Sequence, residues 1–197
     1  MADLTDILPH ALDAVGAILE IESAPVAVVV VGGATLHLLG LVTRTTQDVD
    51  VIARAVTPVG EDPVVLMPAD PLPEPLARAI ARVSRDFGLP ADWMNTAVAR
   101  QWSQGLPPWL AEDLEWRRYG ALQVGLAGRR TLIALKLFAA VDQSLRSVHA
   151  QDLVALAPTD AELDEASGWV LTQDASQVFP QLVARVVQHV RDARRHR

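Results

Sequence analysis

The sequence predicts an α/β (α+β) fold: a small mixed sheet flanked by helices, with a helical C-terminal part. Three observations predict it. The run Val28-Val29-Val30-Val31 has the β-branched content of a buried strand. Stretches of helical period alternate with such short apolar runs in the first two thirds of the chain and dominate the last third. The 197 residues, 50% apolar and 21% charged, are enough for a sizeable core and exclude a disordered or low-complexity chain.

A first helix is expected over 9–21, where Leu12, Val15 and Leu19 recur at helical spacing. The 19 residues from Ala24 to Val42 carry no formal charge and are long enough to span a bilayer. Pro25, the pair Gly32-Gly33 and the valine run oppose a membrane helix. They favour a strand over 26–31, a glycine turn and a short helix over 34–39 closed by Gly40. Asp48-Val49-Asp50-Val51-Ile52 then alternates like a strand, and a further short strand is expected over 64–67. Prolines make 67–75 a loop that ends where Pro73-Glu74-Pro75 suits the first turn of a helix over 75–87. The tryptophan-bearing stretch from Trp93 to Trp116 reads as loops and short helices. Strands are expected over 114–118 and 122–126, with helices over 131–141, 148–156, 159–172 and 178–195. On this pattern residues 1–130 form a core and 131–197 a helical part that closes a cleft, as two parts or as one continuous domain.

The chain holds no cysteine, which excludes a disulfide scaffold, thiol catalysis, a cysteine zinc site and an iron–sulfur cluster, and points to the cytoplasm. The opening Met1-Ala2-Asp3-Leu4-Thr5-Asp6 has no basic run, so no signal peptide is expected. A net charge of −7 opposes general nucleic-acid coating. The charge is uneven, at −8 over residues 1–70 and +2 over 71–130. Sixteen of the 17 basic residues are arginine, as in a GC-rich genome, and the exception is Lys136.

The stretch from Val28 to Ile52 carries the most chemistry. Side chains two apart in a strand share a face, so Asp48 and Asp50 project together. Two carboxylates about 7 Å apart at their Cα atoms can share a pair of magnesium ions and, with them, substrate phosphates. Gly32 and Gly33, lacking a Cβ, let backbone amides approach a triphosphate. Lys136 lies among Leu132, Ile133, Leu135, Leu137 and Phe138, so its ammonium needs a partner or a cleft.

The order Val31-Gly32-Gly33, fourteen residues, then Asp48-Val49-Asp50-Val51 resembles the signature of the DNA polymerase beta nucleotidyltransferase superfamily. The strings Gly33-Ala34-Thr35-Leu36 and Arg44-Thr45-Thr46-Gln47-Asp48-Val49-Asp50, with Lys136 and Asp152 further on, resemble the AbiEii and MenT toxins of toxin–antitoxin systems. The likeness covers residues 26–156. It implies that Asp48 and Asp50 hold Mg2+, that Gly32 and Gly33 line the triphosphate, and that Lys136 contacts its phosphates. Asp152 would act as a further carboxylate at the metals or by holding Lys136. Thr46 would sit beside the γ-phosphate, where some members are phosphorylated when the antitoxin acts. The gap before Asp48 is longer than the superfamily's minimal pattern, and Gln151 stands where relatives often carry a basic residue.

The implied enzyme transfers a nucleoside monophosphate from a nucleoside triphosphate, CTP or UTP favoured, to the 3′ end of tRNA. Aminoacylation is then blocked, and a small cognate antitoxin is the protein partner. A small-molecule or protein nucleotidyltransferase and a non-catalytic nucleotide-binding module remain as alternatives. Arg78, Arg82 and Arg85 share a helix face that is either solvated or an RNA-backbone contact. Arg44 is either a loop charge or a phosphate contact. The tryptophans fit a core or a protein interface better than base-stacking platforms.

Overall fold

The computed structural model describes residues 4–42, 45–56 and 64–196. The chain is mixed α/β, and it divides into two compact units. The first holds the residues up to Leu106 together with Leu114–Ala127; the second holds Pro107–Asp113 and the residues from Gly128 onward. Residues 107–113, expected with the first part, thus cluster with the second.

In the first unit, α1 (Leu4–Ile21) precedes β1 (Val26–Val31), α2 (Gly32–Leu38), β2 (Val49–Ala55), β3 (Leu66–Pro68) and α3 (Glu74–Phe87). There follow β4 (Met94–Asn95), a 3-10 turn (Ala97–Arg100), α4 (Gln101–Gln104) and the hairpin of β5 (Leu114–Tyr119) and β6 (Leu122–Ala127). The strand order is β3-β2-β1-β6-β5. β1 runs antiparallel to β2 and parallel to β6, and β4 runs parallel to β2. Because β1 occupies one side of β2, β3 and β4 share its other side.

Leu8, Leu12, Val15 and Leu19 of α1 and Leu76, Ile80 and Val83 of α3 pack with Val28, Val30, Val49, Val51, Val124 and Leu126 of the sheet. This stripe explains why α1 begins at Leu4 and not at Pro9: Leu4 and Leu8 continue the buried face through the proline. Burial of side chains such as these is worth about 1.5–3 kcal/mol each. Trp93 is completely buried in the same core, and its indole N–H donates to the Ile80 carbonyl at 3.3 Å. No helix among the described residues is long and apolar enough to cross a membrane, and Ala24 to Val42 folds as β1 and α2.

The second unit contains α5 (Arg129–Val141), α6 (Val148–Leu156), α7 (Asp160–Val170) and α8 (Phe179–Arg195). Leu132, Leu137, Leu153, Leu163, Val170 and Val186 are buried here, and Phe138 meets Trp169 edge-on with ring centroids 6.0 Å apart. Arginines strap the helices together. Arg129 reaches Glu162 at 2.7 Å, while Arg191 and Arg194 reach Asp160 at 3.1 and 2.8 Å. Arg191 and Arg194 thus fasten α8 to α7.

Candidate functional site

The first group of expected site residues gathers at one end of the sheet. β1 delivers Gly32 at its C-terminal end, and the antiparallel β2 begins at the same place, with Val31 opposite Asp50. Two boundaries differ from expectation. α2 starts at Gly32 itself, so the glycines are its first residues, not a turn before it. β2 starts at Val49, which leaves Asp48 on the segment entering the strand. Val49 and Val51 lie in the core with α1 and α3, so the alternation of the strand turns Asp50 to the opposite face.

Gly32 is required by its surroundings. It has φ +78°, and a Cβ at this position would collide with Asp50 Oδ2 and stand 3.2 Å from Asp50 Cγ. The carboxylate and the glycine backbone therefore address one small volume, with no side chain between them.

The segment entering β2 is tied down on both sides. Thr46 is only 3% exposed; its N–H donates to Thr5 Oγ1 at 2.9 Å and its hydroxyl donates to the Asp48 carbonyl at 3.0 Å. The hydroxyl thus fixes the turn that presents Asp48. Asn95 of β4, opposite Asp50 in register, donates from Nδ2 to Asp48 Oδ2 at 3.4 Å and to the Asp92 carbonyl at 3.2 Å. Its Oδ1 accepts the Ala97 N–H at 2.8 Å, which locks the amide in place. Asn95 escapes sequence reasoning because β4 is two residues long and shows no periodicity.

The second group lies in the second unit. Lys136 Nζ and Asp152 Oδ2 are 2.6 Å apart, with the two side chains 7% and 1% exposed. Of the two roles open to Asp152, the geometry displays the holding of Lys136. Taking two such charges out of water costs several kcal/mol per ion, and breaking a buried pair costs about 3–5 kcal/mol, so the lysine is fixed in position. Three N–H donors on the ammonium leave capacity beyond this one bond.

Among the described residues no cluster of three or more histidine, aspartate or glutamate side chains is placed to hold a metal. The donor chemistry of Asp48 and Asp50 nevertheless suits a hard divalent ion, which commonly takes one or two protein carboxylates and completes its shell with water and phosphate oxygens. Arg78 and Arg82 of the stripe are engaged with acids: Arg78 with Glu22 and Glu74, each at 2.7 Å, and Arg82 with Asp86 at 3.8 Å. Arg85 is exposed beside them, and Arg44 lies outside the described residues. The tryptophans separate, with Trp93 in the core and Trp102, Trp109 and Trp116 half-buried. No family model, curated protein or solved structure matches the chain.

Proposed function

We propose that this chain is a metal-dependent nucleotidyltransferase that moves a nucleoside monophosphate from a nucleoside triphosphate to a hydroxyl of RNA. By the toxin resemblance the acceptor is the 3′ end of tRNA and the nucleotide a pyrimidine, in the cytoplasm, under the control of a small antitoxin. The observation that carries this proposal is the approach of Gly32 to Asp50, which puts a glycine backbone directly against a carboxylate at the head of β2. Because Gly32 has no Cβ, its backbone and the Asp50 carboxylate lie side by side, and together they can address a phosphate and the cation that accompanies it.

In the reaction, a bond forms between the acceptor oxygen and the α-phosphorus, the bond from that phosphorus to the bridging oxygen of pyrophosphate breaks, and the hydroxyl proton is lost to a base. Asp48 and Asp50 would hold Mg2+, which when bound supplies charge neutralisation on the phosphates and eases deprotonation of the acceptor. Thr46 and Asn95 orient Asp48. For Lys136 the resemblance implies a phosphate contact, and its pairing with Asp152 supports a held cation over a solvated one.

The test is incubation of the protein with Mg2+, each labelled triphosphate and total RNA. Label on RNA is expected, strongest with CTP or UTP, and Asp48→Ala should lower it at least ~100-fold with the circular dichroism spectrum unchanged. Wild-type transfer in that variant, or label on neither RNA nor protein, overturns the proposal. A small-molecule or protein acceptor is the second reading. What favours it is that Arg78 and Arg82 are already neutralised by acids, which limits the cations available to RNA.

A further inference from the structure

A cavity of about 420 Å³ opens on the outer side of β2, within the first unit. Pro68 at the end of β3, Asp70, Thr96, Arg100, Trp102 and Ser103 are among the residues that line it. Its position follows from the sheet: β3 and β4 both add to the side of β2 that β1 does not occupy, so the residues after each of them meet there. Thr96 directly follows Asn95, which pairs in register with Asp50 and donates to Asp48. The cavity therefore starts one residue along the chain from Asn95, the hydrogen-bond partner of Asp48. Gly32 lies on the other side of β2, at the end of β1.

The lining supplies three kinds of contact. Trp102 is half-buried and offers an aromatic surface. Arg100 is exposed, and among the described residues its guanidinium has no hydrogen bond or ion pair. Asp70 Oδ1 accepts the Thr96 hydroxyl at 3.2 Å, which leaves Oδ2 to accept from a ligand amine, and the Ser103 hydroxyl is held by the Arg100 carbonyl at 2.8 Å. An aromatic surface for a base, a guanidinium for a phosphate and a carboxylate for an exocyclic amine are together the contacts of one nucleotide. Among the described residues Asp70 is the one acid of a lining that also holds Arg100, which disfavours a polycationic acceptor.

We infer that this cavity binds the terminal nucleotide of a single-stranded RNA, and that it is the acceptor subsite. The acceptor role rests on the nucleotidyltransferase proposal, because the glycine side of Asp50 is there given to the triphosphate; the RNA contact rests on the cavity alone.

The two are tested separately with Trp102→Ala, Trp102→Phe and Arg100→Ala. Binding is read without metal or triphosphate, from the anisotropy of a fluorescein-labelled RNA hexamer; transfer is read as separate KM values for RNA and for the triphosphate. Trp102→Ala and Arg100→Ala should each raise the hexamer Kd and the RNA KM about tenfold with the triphosphate KM unchanged. Trp102→Phe, which keeps a ring, should recover most of the loss. If transfer to RNA proceeds but neither substitution moves the hexamer Kd or the RNA KM, the cavity assignment is wrong and the transferase proposal survives. If the hexamer binds and the substitutions weaken it while no label reaches RNA, the cavity stands as an RNA site and the transferase proposal falls. Failure of the wild-type protein to bind the hexamer overturns the inference outright.

Discussion

Gly32 and Gly88 both have positive φ, at +78° and +65°, yet they differ in what a methyl group would meet. Beyond Gly88 there is nothing within 4 Å, whereas at Gly32 the Asp50 carboxylate fills the space. Gly88→Ala should cost about 1–2 kcal/mol, the strain of a left-handed alanine at the end of α3, and leave nucleotide transfer intact. Gly32→Ala should cost at least as much and in addition displace Asp50, so transfer should fall far more than stability does. Urea midpoints and transfer rates on both variants check this; equal transfer by the two would show that the Gly32–Asp50 approach has no part in the chemistry. At this scale Lys136 was the most legible residue. An ammonium surrounded by leucines demands a partner, and Asp152 sixteen positions on supplies it. Thr46 is named by the resemblance, but its hydroxyl bond to the Asp48 carbonyl is not legible in the sequence, because a threonine in a loop has many local acceptors to choose from.

Elements set by a local signal were read well. α6 begins after Ser147, whose hydroxyl accepts the Ala150 N–H, and its bounds coincide with the expected 148–156. β1 and the β5–β6 hairpin follow from apolar runs and the Tyr119-Gly120 turn. α2 is expected from residue 34 because glycine is a poor helix former, whereas it begins at Gly32. α7 shows what a complete terminus is worth. Thr159 and Glu162 form a reciprocal capping box, and Glu162 also takes Arg129 at 2.7 Å. The Arg129 hydrogen bond, with the Thr159 contacts, holds the Glu162 carboxyl at about 2, well below the usual carboxylate range. A lowered value stabilises the folded state fully above the unfolded pKa of about 4.3, and that contribution is lost as pH falls toward about 2. Arg129 stays charged throughout, so the carboxylate carries the pH dependence. With 28% of the side chain exposed, a discounted effect on the order of 2 kcal/mol is expected. Glu162→Gln should therefore lower urea stability by about that amount at neutral pH and flatten its decline between about pH 4 and 2. An unchanged acid profile would remove the pair from the stability of this helix.

For the whole molecule, what was legible divides by distance along the chain. Gly32 and Gly33 open α2, directly after β1, and Asp48 and Asp50 stand at the start of the neighbouring β2, so their order along the chain brings them to one end of the sheet. The cavity unites residues near 68–70 with residues 96–103, and only the addition of β3 and β4 to one side of β2 joins them; no local pattern encodes that. Charge sets the remaining constraint. Residues 1–70 carry −8 and include both aspartates, so RNA has to be met by few free cations. In the first unit Arg54 and Arg118 donate to backbone carbonyls, and Arg78, Arg82 and Arg117 are paired with acids. Arg85 and Arg100 are the arginines of this unit that, among the described residues, have no side-chain hydrogen bond or ion pair. Each phosphate contact on a single strand contributes about −0.7 to the slope of log K against log salt, so two contacts give a slope of about −1.4. The hexamer titrated at increasing salt should show this shallow slope, and Arg100→Ala should reduce it by about 0.7. A slope steeper than about −4 would mean that RNA is gripped by a larger basic surface than these two arginines, and the acceptor would then have to be sought away from the outer side of β2.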